Sequence, residues 1–222
     1  MKPFDYTQIH KPVLLRRLAR LAPKVIPRLY KPLTIIGEEN IPAEGAFIAA
    51  CNHIHSSDPV PMMLAALGRR EIHFMAKYEL FKNPVAARII IGAGGFPVRR
   101  GIGARRALEY SLLLLRNGHA VGIFPEGTRH PGGPPQEPRT GTAKLAFETG
   151  APVLPCALYC PADRPFGAPL TLRIGRLIPN GEIDFGDGKA QGRRQATVQI
   201  MGEITKLWAV LRDEYQAGAA AR

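Results

Sequence analysis

Six short apolar runs, at 33–36, 46–50, 72–76, 120–124, 153–159 and 170–174, alternate along the chain with stretches whose apolar residues recur at helical spacing. The runs have the length and β-rich content of strands. Helical patterns at 59–67, 104–116 and 143–149 carry their own boundary signals: Asp58 before Pro59 opens the first, Asn117 and Gly118 close the second, and Gly150 closes the third. This alternation predicts an α/β fold, a single domain with a central mixed, largely parallel sheet flanked by helices. Farther on, Ile200, Met201, Ile204, Trp208, Leu211 and Tyr215 form one helical stripe, expected to pack on the core. Residues 130–141 read as a Pro/Gly-rich mobile loop, and 217–222 as a frayed tail.

A chain of 222 residues suffices for one domain with a sizeable core. The three cysteines, Cys51, Cys156 and Cys160, are an odd number without zinc-type pairing, which suits a reducing compartment rather than a disulfide framework. No apolar run approaches the roughly 18 residues needed to span a bilayer. Lys and Arg outnumber Asp and Glu by 30 to 18, so the surface attracts anions: phosphorylated substrates, anionic lipid headgroups or nucleic acid. An aromatic-basic RNA signature and zinc-finger spacing are both missing, which argues against nucleic acid.

The N-terminus sharpens the choice. From Tyr6 to Gly37 there are seven basic residues and no acidic one, with Leu14, Leu18, Leu21 and Val25 projecting to one side of a helix and Arg16, Arg17, Arg20 and Arg28 to the other. Pro23 and Pro27 divide this amphipathic segment into two pieces. A secretory signal does not fit, because arginines interrupt every apolar core, and an organellar transit peptide would carry serine, which first occurs here at Ser56. Two readings stay open: a helix packed on the body with a solvated basic face, or a helix lying on an anionic membrane surface.

Three polar clusters follow the ends of strand runs: Asn52 to Asp58, Lys77, and Glu126 to Arg129. Ligand sites of open α/β sheets collect outside the carboxyl ends of parallel strands, so these clusters are expected on one rim. In the first, His53 and Asp58 lie five apart and cannot face each other on a continuous helix. A loop entering the helix at Asp58 can fold His53 back, letting the carboxylate hold one tautomer and leaving the other ring nitrogen to take a proton from a hydroxyl. Helix capping is the simpler role for Asp58. A metal site using His53, His55 and Asp58 lacks further ligands at recognisable spacing, since His73, His119 and His130 are isolated. "GGFPVRRG", 94–101, places Arg99 and Arg100 beside a glycine-rich turn, and "FPEGTR", 124–129, offers an anion the backbone of Gly127 and Thr128 and the Arg129 cation. Glu126 can hold an arginine or act as a second carboxylate.

Taken together, Asn52-His53 with Asp58, the block from Gly94 or Gly95 through Phe96 to Arg99, Glu126 to Arg129, and Pro152 to Pro155 resemble the N-H-x4-D, G-x-F-x-x-R, E-G-T-R and V-P blocks of glycerolipid acyltransferases of the lysophosphatidate acyltransferase (PlsC) type. The resemblance runs from about Leu33 to Ile178 and includes "FMAKYELF". It implies catalytic roles for His53 as general base and Asp58 as its orienter. Acceptor binding would fall to Lys77, Arg99, Glu126, Gly127, Thr128 and Arg129. It further implies no metal and no cofactor, with acyl-CoA or acyl-carrier-protein as co-substrate and a lysophospholipid as acceptor. The expected location is peripheral, on the cytoplasmic face of a membrane, with residues 1–32 as a docking segment and 33–216 as the acyltransferase domain. His55 stands where such first blocks often carry serine, and has no assigned role. Other lysolipids or specialised metabolites are alternative acceptors. A metal-dependent hydrolase and a non-catalytic basic membrane protein are the distant alternatives. A serine nucleophile is disfavoured because G-x-S-x-G is absent.

Overall fold

The computed structural model describes residues 4–11, 33–99, 103–161 and 169–220. Seven strands form one sheet: β1 (Leu33–Ile36), β2 (Phe47–Cys51), β3 (Ile72–Lys77), β4 (Gly95–Val98), β5 (Ala120–Ile123), β6 (Val153–Tyr159) and β7 (Leu170–Ile174), in the order β1-β7-β6-β2-β5-β3-β4. Strands β2 to β6 run parallel, whereas β7 pairs antiparallel with β6 and carries β1 beside it. The sheet is therefore mixed and largely parallel, as the alternation predicts. Every residue of the central β2 is buried, which is why it reads as an unbroken apolar run.

Five described helices cover the two faces: α1 (Pro59–Ala65), α2 (Pro84–Gly92), α3 (Gly103–Arg116), α4 (Gly141–Thr149) and α5 (Ala190–Ala220). One core cluster joins α3, α4 and α5 through Tyr110, Leu114, Leu145, Ile200 and Ile204. The other joins α1 to the opposite face through Met62 and Ala65. The helix after β2 thus lies on one face and the helix after neighbouring β5 on the other. Right-handed crossovers leaving adjacent strands in opposite directions produce this arrangement, and it opens a crevice between the two strand ends.

Three details revise the sequence boundaries. Within the expected docking segment, residues 4–11 pack on the domain: Phe4 sits edge-on to Tyr110 at 5.4 Å, and the Tyr6 hydroxyl donates to the Pro97 carbonyl at 2.8 Å. The rest of the expected amphipathic segment, residues 12–32, lies outside the described residues. At the other end the expected frayed tail is helical through Ala220, in keeping with the high helix propensity of its alanines. The C-terminal stripe is buried from Ile200 to Leu211, while Tyr215 is 43% exposed and lies against Tyr159.

Far from the polar rim, His73 on β3 is 2% exposed, its Nε2 has no hydrogen-bond partner among the described residues, and His119 stands edge-on to it at 5.4 Å. Burial, reinforced by His119, pulls its pKa down to about 4, against a hydrogen bond to the Gly94 carbonyl. An unfolded histidine titrates near 6.5, so below that pH the unfolded chain binds a proton that the folded chain refuses. This group therefore removes stability as pH falls from about 6.5 toward 4, by a total on the order of 3 kcal/mol. Urea unfolding at pH 7 and pH 5 is expected to show a smaller loss for His73→Leu than for the wild type.

Candidate active site

The site begins where β2 leaves the sheet. The last β2–β6 pair is Cys51 with Cys156, and beyond it the buried Asn52 side chain takes over the ladder. Its Nδ2 donates to the Leu158 carbonyl at 2.9 Å, and its Oδ1 accepts from the Leu158 N–H at 2.7 Å. The Asn52 side chain thereby pairs both main-chain groups of Leu158 where the strand ladder ends, and the next residue, His53, can turn away.

Asp58 is fully buried, and its Oδ2 gathers three donors: His53 Nδ1 at 2.8 Å, Ile54 N–H at 2.7 Å and His55 N–H at 2.7 Å. The side chain does not cap α1 as the sequence suggests. Two of the first three helical residues, Pro59 and Pro61, have no N–H to offer, and the third, Val60, donates to the Ser57 carbonyl. The carboxylate folds backward instead, over the loop that carries His53. Because a carboxylate only accepts, Nδ1 carries the proton and Nε2 presents its lone pair. Nε2 has no hydrogen-bond partner among the described residues, and the His53 side chain is 17% exposed.

Both main-chain groups of His53 are held from the β5 side. Its N–H donates to Glu126 Oε1 at 2.8 Å, and its carbonyl accepts from the His130 N–H at 2.7 Å. The other Glu126 oxygen accepts from the Gln136 N–H at 3.2 Å, and the side chain is 1% exposed. Burial pushes the Glu126 carboxyl above its ordinary range, and the two backbone donors draw it partly back. Glu126, expected among the acceptor-binding residues, thus has both oxygens engaged inside the protein. It braces the His53 loop against the Pro/Gly-rich loop, which is tied again where the Arg139 N–H meets the Pro125 carbonyl.

The imidazole also rests on an aromatic stack. Its ring lies 4.1 Å from that of Phe124, nearly parallel, and Phe124 follows at 6.1 Å from Phe74. Gly122 makes this possible, since a Cβ there would sit 2.0 Å from a ring carbon of Phe74. Neither spacing nor motif assigns a separate role to Asn52, Phe124, Gly122 or Gln136. Only Gly122, a glycine inside an apolar run, carried a local hint of close approach.

The remaining expected residues spread along the same rim, because β2, β5, β3 and β4 are successive neighbours. Gly127 turns with φ of 69°, Thr128 Oγ1 lies 2.9 Å from His130 Nε2, and Arg129 is exposed. Lys77 stays exposed, its Nζ 3.8 Å from Glu79. The Arg99 guanidinium stacks over Tyr78 at 3.6 Å from the ring centre. With strands about 4.8 Å apart, the β4 strand end lies roughly 14 Å from that of β2, so Arg99 is a distal cation and Arg129 a proximal one. Arg100 lies outside the described residues.

Some chemistry is set aside by position. Burial pushes the Cys156 thiol up to about 12 and Cys51 well above its usual value, so neither is a thiolate nucleophile at neutral pH. His55 is exposed, and its Nδ1 accepts from the Ser57 N–H in a local turn. Among the described residues no three His, Cys, Asp or Glu side chains form a metal-holding group. The geometry defines a class: a doubly wound α/β protein with a histidine held by a buried carboxylate at the carboxyl end of its central strand.

Comparison with known proteins narrows the class. Residues 32–159 match the family model described as Acyltransferase. The chain is 33% identical over 140 residues to 1-acyl-sn-glycerol-3-phosphate acyltransferase of Bacillus subtilis (strain 168), covering 63% of this chain and 69% of that protein. It is 35% identical over 129 residues to the protein of the same name from Borreliella burgdorferi, covering 57% of this chain and 51% of that protein. The chain thus spans about half the length of the second relative. Among solved structures, the 1-acyl-sn-glycerophosphate (LPA) acyltransferase PlsC from Thermotoga maritima superposes with a TM-score of 0.66 at 26% identity, over 87% of this chain and 78% of that one. The chain belongs to the acyltransferase family.

Glu126→Gln tests the brace. Glutamine can still accept from His53 but brings an NH2 toward the Gln136 N–H. Turnover is expected to fall on the order of tenfold to a hundredfold while the KM for the acceptor moves less than about threefold. A rise in KM with unchanged kcat would return Glu126 to acceptor binding.

Proposed function

We propose that the protein transfers a fatty acyl group from the thioester of acyl-CoA or acyl-carrier-protein to the free hydroxyl of 1-acyl-sn-glycerol 3-phosphate, giving phosphatidate. The observation that carries this is the 2.8 Å contact between His53 Nδ1 and the buried Asp58, which leaves Nε2 of a 17% exposed side chain without a partner among the described residues. His53 Nε2 takes the proton from the acceptor hydroxyl as its oxygen attacks the thioester carbonyl. The tetrahedral intermediate collapses, the C–S bond breaks, and the thiolate receives the proton from the imidazolium. Asp58 stabilises that imidazolium through Nδ1. The buried cysteines support direct transfer rather than an acyl-cysteine.

The relatives named above act, by their names, on 1-acyl-sn-glycerol 3-phosphate, and the cations along the rim suit its phosphate. Arg129, with the main chain of Gly127 and Thr128, is placed closest in strand order to His53 and holds the phosphate in this scheme. Lys77 and Arg99 draw the anionic headgroup along the rim. The protein works as a peripheral enzyme on the cytoplasmic face of a membrane, with residues 12–32 aiding attachment; no helix among the described residues is long and apolar enough to cross one.

The test mixes purified protein, acyl-CoA and lysophosphatidate with a chelator, following thiol release and lipid mass together. Equimolar thiol and phosphatidate are expected, and His53→Ala should lower kcat by about 10² to 10⁴. Thiol release without acylated lipid would identify a thioesterase instead. Arg129→Ala is expected to raise the acceptor KM about tenfold or more, the worth of one charge-assisted bond to phosphate, and unchanged acceptor kinetics would remove it from the phosphate site.

A further inference from the structure

Seven large hydrophobic side chains are notably exposed among the described residues, and three of them, Leu80, Val85 and Ile89, fall within ten positions of one another. Val85 is 67% and Ile89 53% exposed, and they lie one turn apart on the same face of α2, about 6 Å along its axis. The helix buries only Ala87 fully. Its start is secured by a cap rather than a core: Asn83 Oδ1 accepts from the N–H groups of Val85 and Ala86 at 2.9 and 3.1 Å, with Pro84 at the first helical position. A sequence as apolar as "PVAARIIIG" would ordinarily turn its larger side chains inward.

The sequence around this patch is mostly basic, although the exposed Glu79 sits beside Leu80, 3.8 Å from Lys77. Between Glu79 and Glu109 the chain carries Lys82, Arg88, Arg99, Arg100, Arg105 and Arg106 and no acidic residue. Arg88 and Lys82 are both exposed beside the apolar side chains. The helix also starts at the rim, since it follows the carboxyl end of β3 through the short helix Tyr78–Phe81, next to Lys77 and Arg99.

We propose that Leu80, Val85 and Ile89 form a docking surface for an anionic bilayer, with these side chains in the boundary between headgroups and acyl chains and Lys82 and Arg88 among lipid phosphates. Three side chains are too few for the roughly 800 Å² per partner of a stable protein interface. A bilayer needs only shallow insertion, and each nearby basic residue adds about 1 kcal/mol on an anionic leaflet. Docked this way, the rim bearing Lys77, Arg99 and His53 lies close to the leaflet, and a lysolipid reaches the base with its acyl chain still in the membrane. That orientation rests on the lysolipid reading of the site, whereas attachment itself does not.

The experiment measures partitioning of the full chain onto vesicles of phosphatidylcholine with and without phosphatidylglycerol, by sedimentation and without substrate. Binding that requires the anionic lipid, and that falls about tenfold or more in the Val85→Ser/Ile89→Ser variant, is expected. Val198→Ser/Val210→Ser, at exposed positions on α5, should partition within about twofold of wild type and controls for general loss of surface apolarity. Unchanged partitioning of the α2 variant, or no vesicle binding by the wild type, would overturn the proposal. So would a wild-type dimer that the α2 variant dissociates, which would make the patch a protein interface. Because partitioning is read without turnover, its failure is distinct from failure of the acyl-transfer assay.

Discussion

One buried carboxylate oxygen organises this protein. Asp58 Oδ2 accepts from the His53 ring and from two successive backbone N–H groups, and without those three donors an ionised carboxylate at 0% exposure would be costly. The interactions that make the burial tolerable are the same ones that set the histidine's tautomer and direction. Glu126 repeats the device from the neighbouring strand, taking the N–H of His53 itself and that of Gln136. Both acids are satisfied mostly by main-chain donors. On the rim, Arg129 and Lys77 are exposed, Lys77 lying 3.8 Å from Glu79, and the Arg99 guanidinium stacks over Tyr78.

The sheet makes the arrangement rigid. Asn52 carries the β2–β6 ladder one step past the last strand pair, so the loop departs from a fixed point. The stack of Phe74 and Phe124, seated in the space left by Gly122, supports the imidazole from the side. Helices leaving β2 and β5 on opposite faces open the crevice above these supports, so the fold supplies both the wall and the opening.

Much of this was legible in the residues, and the omissions have physical causes. The six apolar runs all became strands, the central β2 and β6 buried almost throughout and so carrying the strongest local signature. The fourth strand escaped: Gly95–Val98 is four residues long and contains Pro97, which a strand tolerates at the sheet edge that β4 occupies. Helix α2 has no clear burial periodicity to read, because Val85 and Ile89 face outward while only Ala87 is fully buried. The pairing of His53 with Asp58 was accessible from spacing and chemistry. The direction of the Asp58 carboxylate was not, because an aspartate before a proline has the form of a cap whichever way it folds. Glu126 likewise looks the same in sequence whether it meets a ligand or the backbone of a distant loop.

The two backbone donors to Asp58 also separate what the loop may vary from what it must keep. Asp58 recognises Ile54 and His55 through their peptide N–H groups, which nineteen of the twenty amino acids possess, so the exposed His55 side chain can be exchanged without touching the His53–Asp58 pair, while Ile54 must also fill its place in the core. Proline alone is barred at either position. The number of residues between histidine and aspartate has no such latitude, since one more or one fewer would present the carboxylate with a different set of peptides. In this loop the heritable constraint is a length, and that leaves room for chemical diversification beside a base that stays in place.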